Sequence, residues 1–398
     1  MSTPVLFPIA PDWTKELKET TSYHTDVLVA YSDAEQRRGL RSNPRRGLDF
    51  TLTTLTPREA ALLEATIFGS MQNPFALPWW PDALRLSGDL PSGSTSIPLD
   101  PSTRLFAANG LAVLWRSPFE NELVSVSNVA PVTGLTLASG TANSWTKGNT
   151  FVLPAFLVRL GTSVDLPRYY SGGIDAELSF AGEAGQIAPS SSWTPTQYLG
   201  IDVLEVSPNW TSSPKTTIAR SMIVLDATTG DVTVETKSAS PIASTPFEWF
   251  LQDRNAIATL RAFFDRRKGR LVPFFVPSWH QDLILASNIL ATDSSIRIQA
   301  GNYSRILFPF NSRRDLAFLA VTGARAYARV TAANDNGDGT ETLSLGAPIG
   351  TAFSKTQTQI SFLELVRLAS DDLSILWSSS TFGSASLALV EVPREVPA

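Results

Sequence analysis

The chain has 398 residues, of which 43 % are apolar and only 17 % charged, with a formal net charge of −5 and no cysteine. Without cysteine there are no disulfides, zinc–thiolate sites or thiol catalysis, and the acidic balance argues against a general nucleic-acid binder, which needs a basic face. No apolar run approaches the roughly 20 residues that cross a bilayer, so no stable membrane insertion is expected. The segment Met1 to Ala10 lacks the charged start and apolar centre of a secretion signal, and the absence of cysteine suits folding in a reducing cytoplasm.

Taken in chain order, TDVLVAY (Thr25 to Tyr31) and LDFTLTTL (Leu48 to Leu55) alternate as strands do and carry β-branched or aromatic residues. Between them lies DAEQRRGLRSNPRR, Asp33 to Arg46, with five arginines in ten residues. Such a run reads either as a solvated loop or as a set of guanidinium forks that bind carboxylates of a neighbouring subunit. The candidate inter-subunit contacts are therefore Glu35, Gln36, Arg37, Arg38, Arg41, Arg45 and Arg46. Thr56-Pro57-Arg58-Glu59 has the parts of a capping box, which predicts a helix from Pro57 to about Phe68 that buries Ala60, Leu63 and Ile67 and is stopped by Gly69. Short strands and turn signals follow, as in SGDLPSGSTSIPLD and ASGTAN.

PDWT at Pro11 to Thr14 then returns as PNWT at Pro208 to Thr211. At that fixed offset of 197, twelve of the fifty-three positions from Pro11 to Leu63 are identical, among them Lys18 with Lys215, Thr20 with Thr217, Phe50 with Phe247 and Leu63 with Leu260. Beyond that point the offset drifts, yet LVRL at Leu157 matches LVRL at Leu365, and Ala176 and Leu178 match Ala385 and Leu387. A period this long implies two domains, residues 1–197 and 198–398, as tandem copies of one module. Asp253 falls on the cap position of the second helix. The arginine-rich run is replaced there by TTGDVTVETKSASP, and a basic cluster sits at the helix end instead, with Arg266, Arg267 and Arg270 as further candidate contacts. NDNGDGTE, Asn334 to Glu341, lacks the alternate oxygen spacing of a calcium loop and reads as a hairpin turn. The expected class is mainly β with few helices (α+β). Each copy is expected to be a β-sandwich or small barrel with one flanking helix, followed by a β-rich extension of roughly 80 residues.

The search for chemistry returns little. His24 and His280 are not equivalent under the repeat; His280 with Asp282 has no nucleophile elbow beside it. No phosphate loop, dinucleotide fingerprint or metal motif occurs, so no enzyme, cofactor or metal is expected.

FPIAPDW, then ETTSYHTDVLVAYSDAEQRRGLRSNPRRGLDFTL, a helix and PFALPWW resembles the distal tail and minor tail proteins of long-tailed bacteriophages and gene transfer agents. The residues that carry the resemblance are Thr25, Asp26, Glu35, Gln36, Arg37, Arg45 and Arg46; Asp33-Ala34 stands where the family has a Gly. The resemblance implies a structural protein of the virion tail tip or baseplate, assembled in the bacterial cytoplasm. It would form a ring around the channel through which DNA passes, in contact with tail tube, tape-measure and tail tip proteins. The repeat adds that three two-module copies would close a pseudo-six-fold homotrimer, with a hexamer in two tiers as the alternative. Two other readings are a carbohydrate-binding receptor-recognition protein, with Trp193 or Trp145 stacking on sugar, and a β-rich cell-wall hydrolase.

Overall fold

The computed structural model describes residues 4–131, 133–186, 193–211, 214–236, 238 and 240–397. Strands take 44 % of the chain and helices 10 %, which places it in the mainly-β class with large antiparallel sheets. The first half orders its sheet as Leu17–Ser22, Arg45–Thr53, Gly173–Gly182, Phe151–Leu160 and Phe75–Pro78, all antiparallel, with Val5–Leu6 added in parallel at the far end. Arg45–Thr53 shows why: Arg46, Leu48, Phe50 and Leu52 are buried on one face while the residues between them are not, as the two-residue pleat demands. The second half follows the same order with Thr217–Ala219, Ile242–Leu251, Gly383–Glu391, Thr358–Leu368 and Phe274–Pro277, and Val203 bridges in parallel to Phe275.

One helix accompanies each sheet. In α1 (Pro57–Ser70) the Thr56 hydroxyl accepts from the Glu59 N–H at 3.2 Å and the Glu59 carboxylate accepts from the Thr56 N–H at 3.1 Å, so the capping box closes. Ala60, Leu63 and Ile67 are its buried face, but Gly69 does not stop it; the helix runs one residue further, to Ser70. In α2 (Arg254–Arg267) the Asp253 carboxylate accepts from the Ala256 N–H at 2.8 Å. Its buried face carries Ile257, Leu260, Phe263 and Phe264, each such side chain stabilising the fold by roughly 1.5–3 kcal/mol when fully buried.

The β-rich extensions correct the expected layout, because they are insertions and do not follow the modules. In the first half Leu111–Ser117, Glu120–Ala130, Gly134–Leu137 and Ser96–Ile97 lie between Phe75–Pro78 and Phe151–Leu160 in the chain, and Leu111–Ser117 pairs back onto Phe151–Leu160. In the second, Asp315–Ala320, Arg325–Asp335, Thr340–Leu345 and Ser295–Gln299 stand in the same relation to Thr358–Leu368. The hairpin expected at NDNGDGTE is present, joining Arg325–Asp335 to Thr340–Leu345. Each insertion holds its own apolar cluster, around Phe106 and Trp145 in one and Tyr303, Phe318 and Phe353 in the other.

The main cores are not separate either. One cluster runs from Phe7, Phe50 and Trp79 through Phe264 and Trp249 to Trp377. The expected boundary at 197/198 falls within the hairpin of Gln197–Tyr198 and Ile201–Asp202.

Candidate assembly interface

The two halves meet along a strand edge. All six residues of Leu17–Ser22 pair antiparallel with Asp372–Trp377, from Leu17 opposite Trp377 to Ser22 opposite Asp372, so the sheet continues from one half into the other. Sheet edges present rows of free N–H and C=O groups, and this pairing satisfies one edge of each half.

Below the seam, α2 of the second half faces the first. The Arg261 guanidinium donates to Glu19 on the seam strand through Nε at 2.9 Å and to both oxygens of Asp82 at 3.1 Å. The indole N–H groups of Trp79 and Trp377, one from each half, donate to the same Glu19 oxygen at 3.3 and 3.1 Å. Arg254 also donates to Asp82, and both guanidinium groups lie 5.0 Å from the Trp377 ring. Glu19, Asp82 and Arg261 are buried. Burial alone would raise the Asp82 carboxyl, but Arg261 and Arg254 outweigh it and hold the pKa at about 2. Arg104 nearby moves down to about 10, through burial and then the charge of Arg254. A second buried link joins Arg46 of the first half to Asp265 of α2 at 2.8 Å and to the Thr21 hydroxyl at 3.0 Å. The Tyr23 hydroxyl donates to Asp265 at 3.1 Å, and burial followed by that carboxylate raises its pKa.

Above the seam, strands Thr25–Val29 and Glu35–Gly39 pair as a two-stranded arm that reaches over the second half. Glu35 accepts from Arg367 at two 2.7 Å bonds, and Arg37 pairs with Glu395 near the C-terminus. Burial works against ionising Glu35, yet the Arg367 fork keeps its pKa below the ordinary value. At the root of the arm Asp371 accepts from the backbone N–H groups of Thr25 and Arg270 at 2.7 and 2.8 Å, and Arg270 donates to the Thr25 carbonyl at 2.7 Å. The Tyr31 hydroxyl donates to Glu235 in the corresponding arm of the second half, Met222–Leu225 with Thr233–Thr236.

The candidate contact residues divide accordingly. Glu35, Arg37, Arg46 and Arg270 bind across the seam inside one chain, and Arg266 and Arg267 both pair with Asp202 of the second half. Arg46 and Arg267 are buried, so a role for either against another subunit is corrected: their guanidinium groups are enclosed and paired within the fold. Gln36, Arg38 and Arg45 are exposed, and Arg41 is half-buried. Sequence reasoning missed Glu19, Asp82, Arg261, Asp265 and Arg367. A faint signal existed, since Arg261 directly follows Leu260 on the apolar face of α2.

Other expected features resolve more simply. Asp282 accepts from the Ser278 hydroxyl and from the Phe362 N–H at 2.7 Å, which ties its loop to the strand Thr358–Leu368. Trp145 is buried, its indole N–H donating to Glu122 at 3.0 Å, and the half-buried Trp193 packs edge-on at 6.1 Å from Phe263. Trp145 therefore offers no open face for stacking on sugar, whereas Trp193 borders an open cavity together with Thr194, Glu205 and Arg325, and Trp210 is exposed. Among the described residues no group of three or more His, Cys, Asp or Glu side chains could hold a metal ion, and no helix is long and apolar enough to cross a membrane. No protein-family model matches the chain, and no curated protein matches it at a significant level.

Proposed function

We propose that the chain is a structural component of a phage tail tip or baseplate, one of three copies that close a ring of six modules around the tail channel and join the tail tube to distal tip proteins. The observation that carries this reading is the seam between Leu17–Ser22 and Asp372–Trp377, which unites two halves of the same strand order edge to edge. A unit that joins the next head to tail through unlike edges generates a ring when its rotation closes. The arm supports the reading as well: Glu35 and Arg37, two of the residues behind the tail-protein resemblance, grip the adjacent half through Arg367 and Glu395. On this reading the repeated strand order is a duplicated module, and the function is assembly. Extended edge pairing with buried ion pairs beneath it gives a collar that resists distortion as DNA passes.

Native mass measurement with averaged electron images of the purified chain tests this. A homotrimer with six similar densities around a hole is expected; a stable monomer at tens of micromolar, or a ring of five, overturns it.

A further inference from the structure

The seam used once inside the chain leaves two matching edges unused. The offset of 197 that relates Lys18 to Lys215 and Thr20 to Thr217 places residues 214–219 in the position of Leu17–Ser22. Thr217–Ala219 pairs with Ile242–Leu251 on one side, and among the described residues nothing pairs on the other. The offset of 209 that relates Ala176 to Ala385 and Leu178 to Leu387 places residues 163–168 in the position of Asp372–Trp377. Ladder geometry gives the same answer, because Arg168 stands opposite Ile174 as Trp377 stands opposite Gly383. Val164 and Leu166 are half-buried against the main core between exposed neighbours, in the positions of the buried Leu373 and Ile375, yet residues 163–167 pair along their outer edge with no described strand. Pro167 does not spoil that edge. Its carbonyl accepts from the Asp175 N–H at 3.0 Å, so the N–H that proline lacks would face inward as well.

Side chains around these edges differ from the seam in a consistent way. The buried link Asp265–Arg46–Thr21 corresponds position by position to Phe68, Ala243 and Ile218. Phe68 is 94 % exposed on α1 and Ile218 is 69 % exposed on its strand. In the arms, Glu35 and Arg37, whose side chains are 12 % and 8 % exposed, correspond to Val232 and Val234 at 53 % and 52 %. Ions and their partner are thus replaced on both sides of the junction by apolar groups, which a shared interface would cover.

We propose that residues 215–219 of one copy pair antiparallel with residues 163–167 of the next copy of this chain, in the register of the internal seam; Pro214, in the position of Leu17, ends the ladder because the N–H it lacks would face the partner. Thr217 then stands opposite Asp165 and Ile218 opposite Val164 of the next copy, whose Phe68 closes over Ile218 and Ala243. The second arm lies across that copy with Val232 and Val234 beneath it. This rests on the ring reading only for closure; the edge pairing itself does not require it.

The absence of cysteine makes the test clean. A Thr217→Cys/Asp165→Cys chain, oxidised at low micromolar concentration and run without reductant, should form inter-chain disulfides that end in a single closed species. Thr20→Cys/Ser374→Cys, at the corresponding seam positions, should close within one chain and report the register. Strand-paired residues lie within the usual disulfide span. Cross-links that grow into an open ladder keep the edge pairing and remove the ring. A trimer by native mass that does not cross-link overturns the edge pairing and keeps the ring. A monomer that never cross-links while the seam control closes overturns both. Phe68→Asp and Ile218→Asp, both at exposed sites, should each weaken association by about tenfold or more without lowering the melting temperature of the subunit; unchanged association counts against the proposal.

Discussion

Replacing Arg261 with methionine keeps an unbranched apolar stem but leaves Glu19 and Asp82 buried without their shared cation. At about 3 Å and an effective dielectric near 20, each guanidinium–carboxylate contact is worth about 5 kcal/mol of attraction. Removing the ions from water costs several kcal/mol apiece, so the intact cluster adds little net stability. Its disruption is different, because the desolvation remains while the attraction goes; the expected loss is about 3–5 kcal/mol at pH 7. The loss should also depend on pH. In the native chain Asp82 is held at about 2 against 3.8 for a free carboxyl. That depression contributes roughly 2 kcal/mol above pH 4, which is lost as pH falls toward 2. In Arg261→Met the burial of Asp82 is opposed only by Arg254 and Arg104, its carboxyl protonates more readily, and the penalty should shrink between pH 7 and pH 4.5. Urea unfolding followed by tryptophan fluorescence measures the loss, Trp79 and Trp377, which both donate to Glu19, being two of the ten tryptophans. A loss below about 1 kcal/mol at pH 7, or an equal loss at pH 4.5, would refute the argument. The triple variant Arg261→Met/Glu19→Gln/Asp82→Asn should recover most of the stability.

Glu364 lies 3.2 Å from Arg313, but burial and the neighbouring Glu391 and Asp282 push its carboxyl up to about 7. The folded chain then holds a proton that the unfolded chain releases near 4.5, so stability falls as pH rises between these values. Glu364→Gln should raise the unfolding free energy by up to about 3 kcal/mol at pH 8 and change it little at pH 4; a lower unfolding free energy at pH 8 would contradict this. Gly269 has φ of +67° and sits against the Asp371 carboxylate that holds the arm root, so Gly269→Ala should cost at least about 2 kcal/mol, and a neutral result in urea would dismiss the strain. Arg37→Glu sets a carboxylate beside Glu35 and Glu395. Hydrogen exchange across residues 25–39 should rise at least tenfold while global stability changes by less than about 1 kcal/mol; unchanged exchange would mean the ion pair does not seat the arm.

Local chemistry made part of this molecule legible from its residues alone. The caps at Thr56 and Asp253, the buried faces at Leu63 and Leu260, the inward phenylalanines at Phe50 and Phe247 and the Asn-Gly hairpin all depend on neighbours within a few positions. Such neighbours are fixed by helix and strand periodicity before any packing occurs. Tertiary structure decided where charge goes. The arginines of Asp33 to Arg46 invite carboxylates, as their composition suggests, but Arg37 and Arg46 find them on the other half of the same chain, in Glu395 and Asp265. Glu19 meets Arg261 across 242 residues. No pattern spans that distance; only the docking of one sheet edge on another brings the two groups within Coulombic reach and removes the water that would otherwise separate them. The same docking turned two expected cores into one and sealed one edge of each half, leaving the outer edges of residues 163–167 and 215–219 without a partner strand among the described residues.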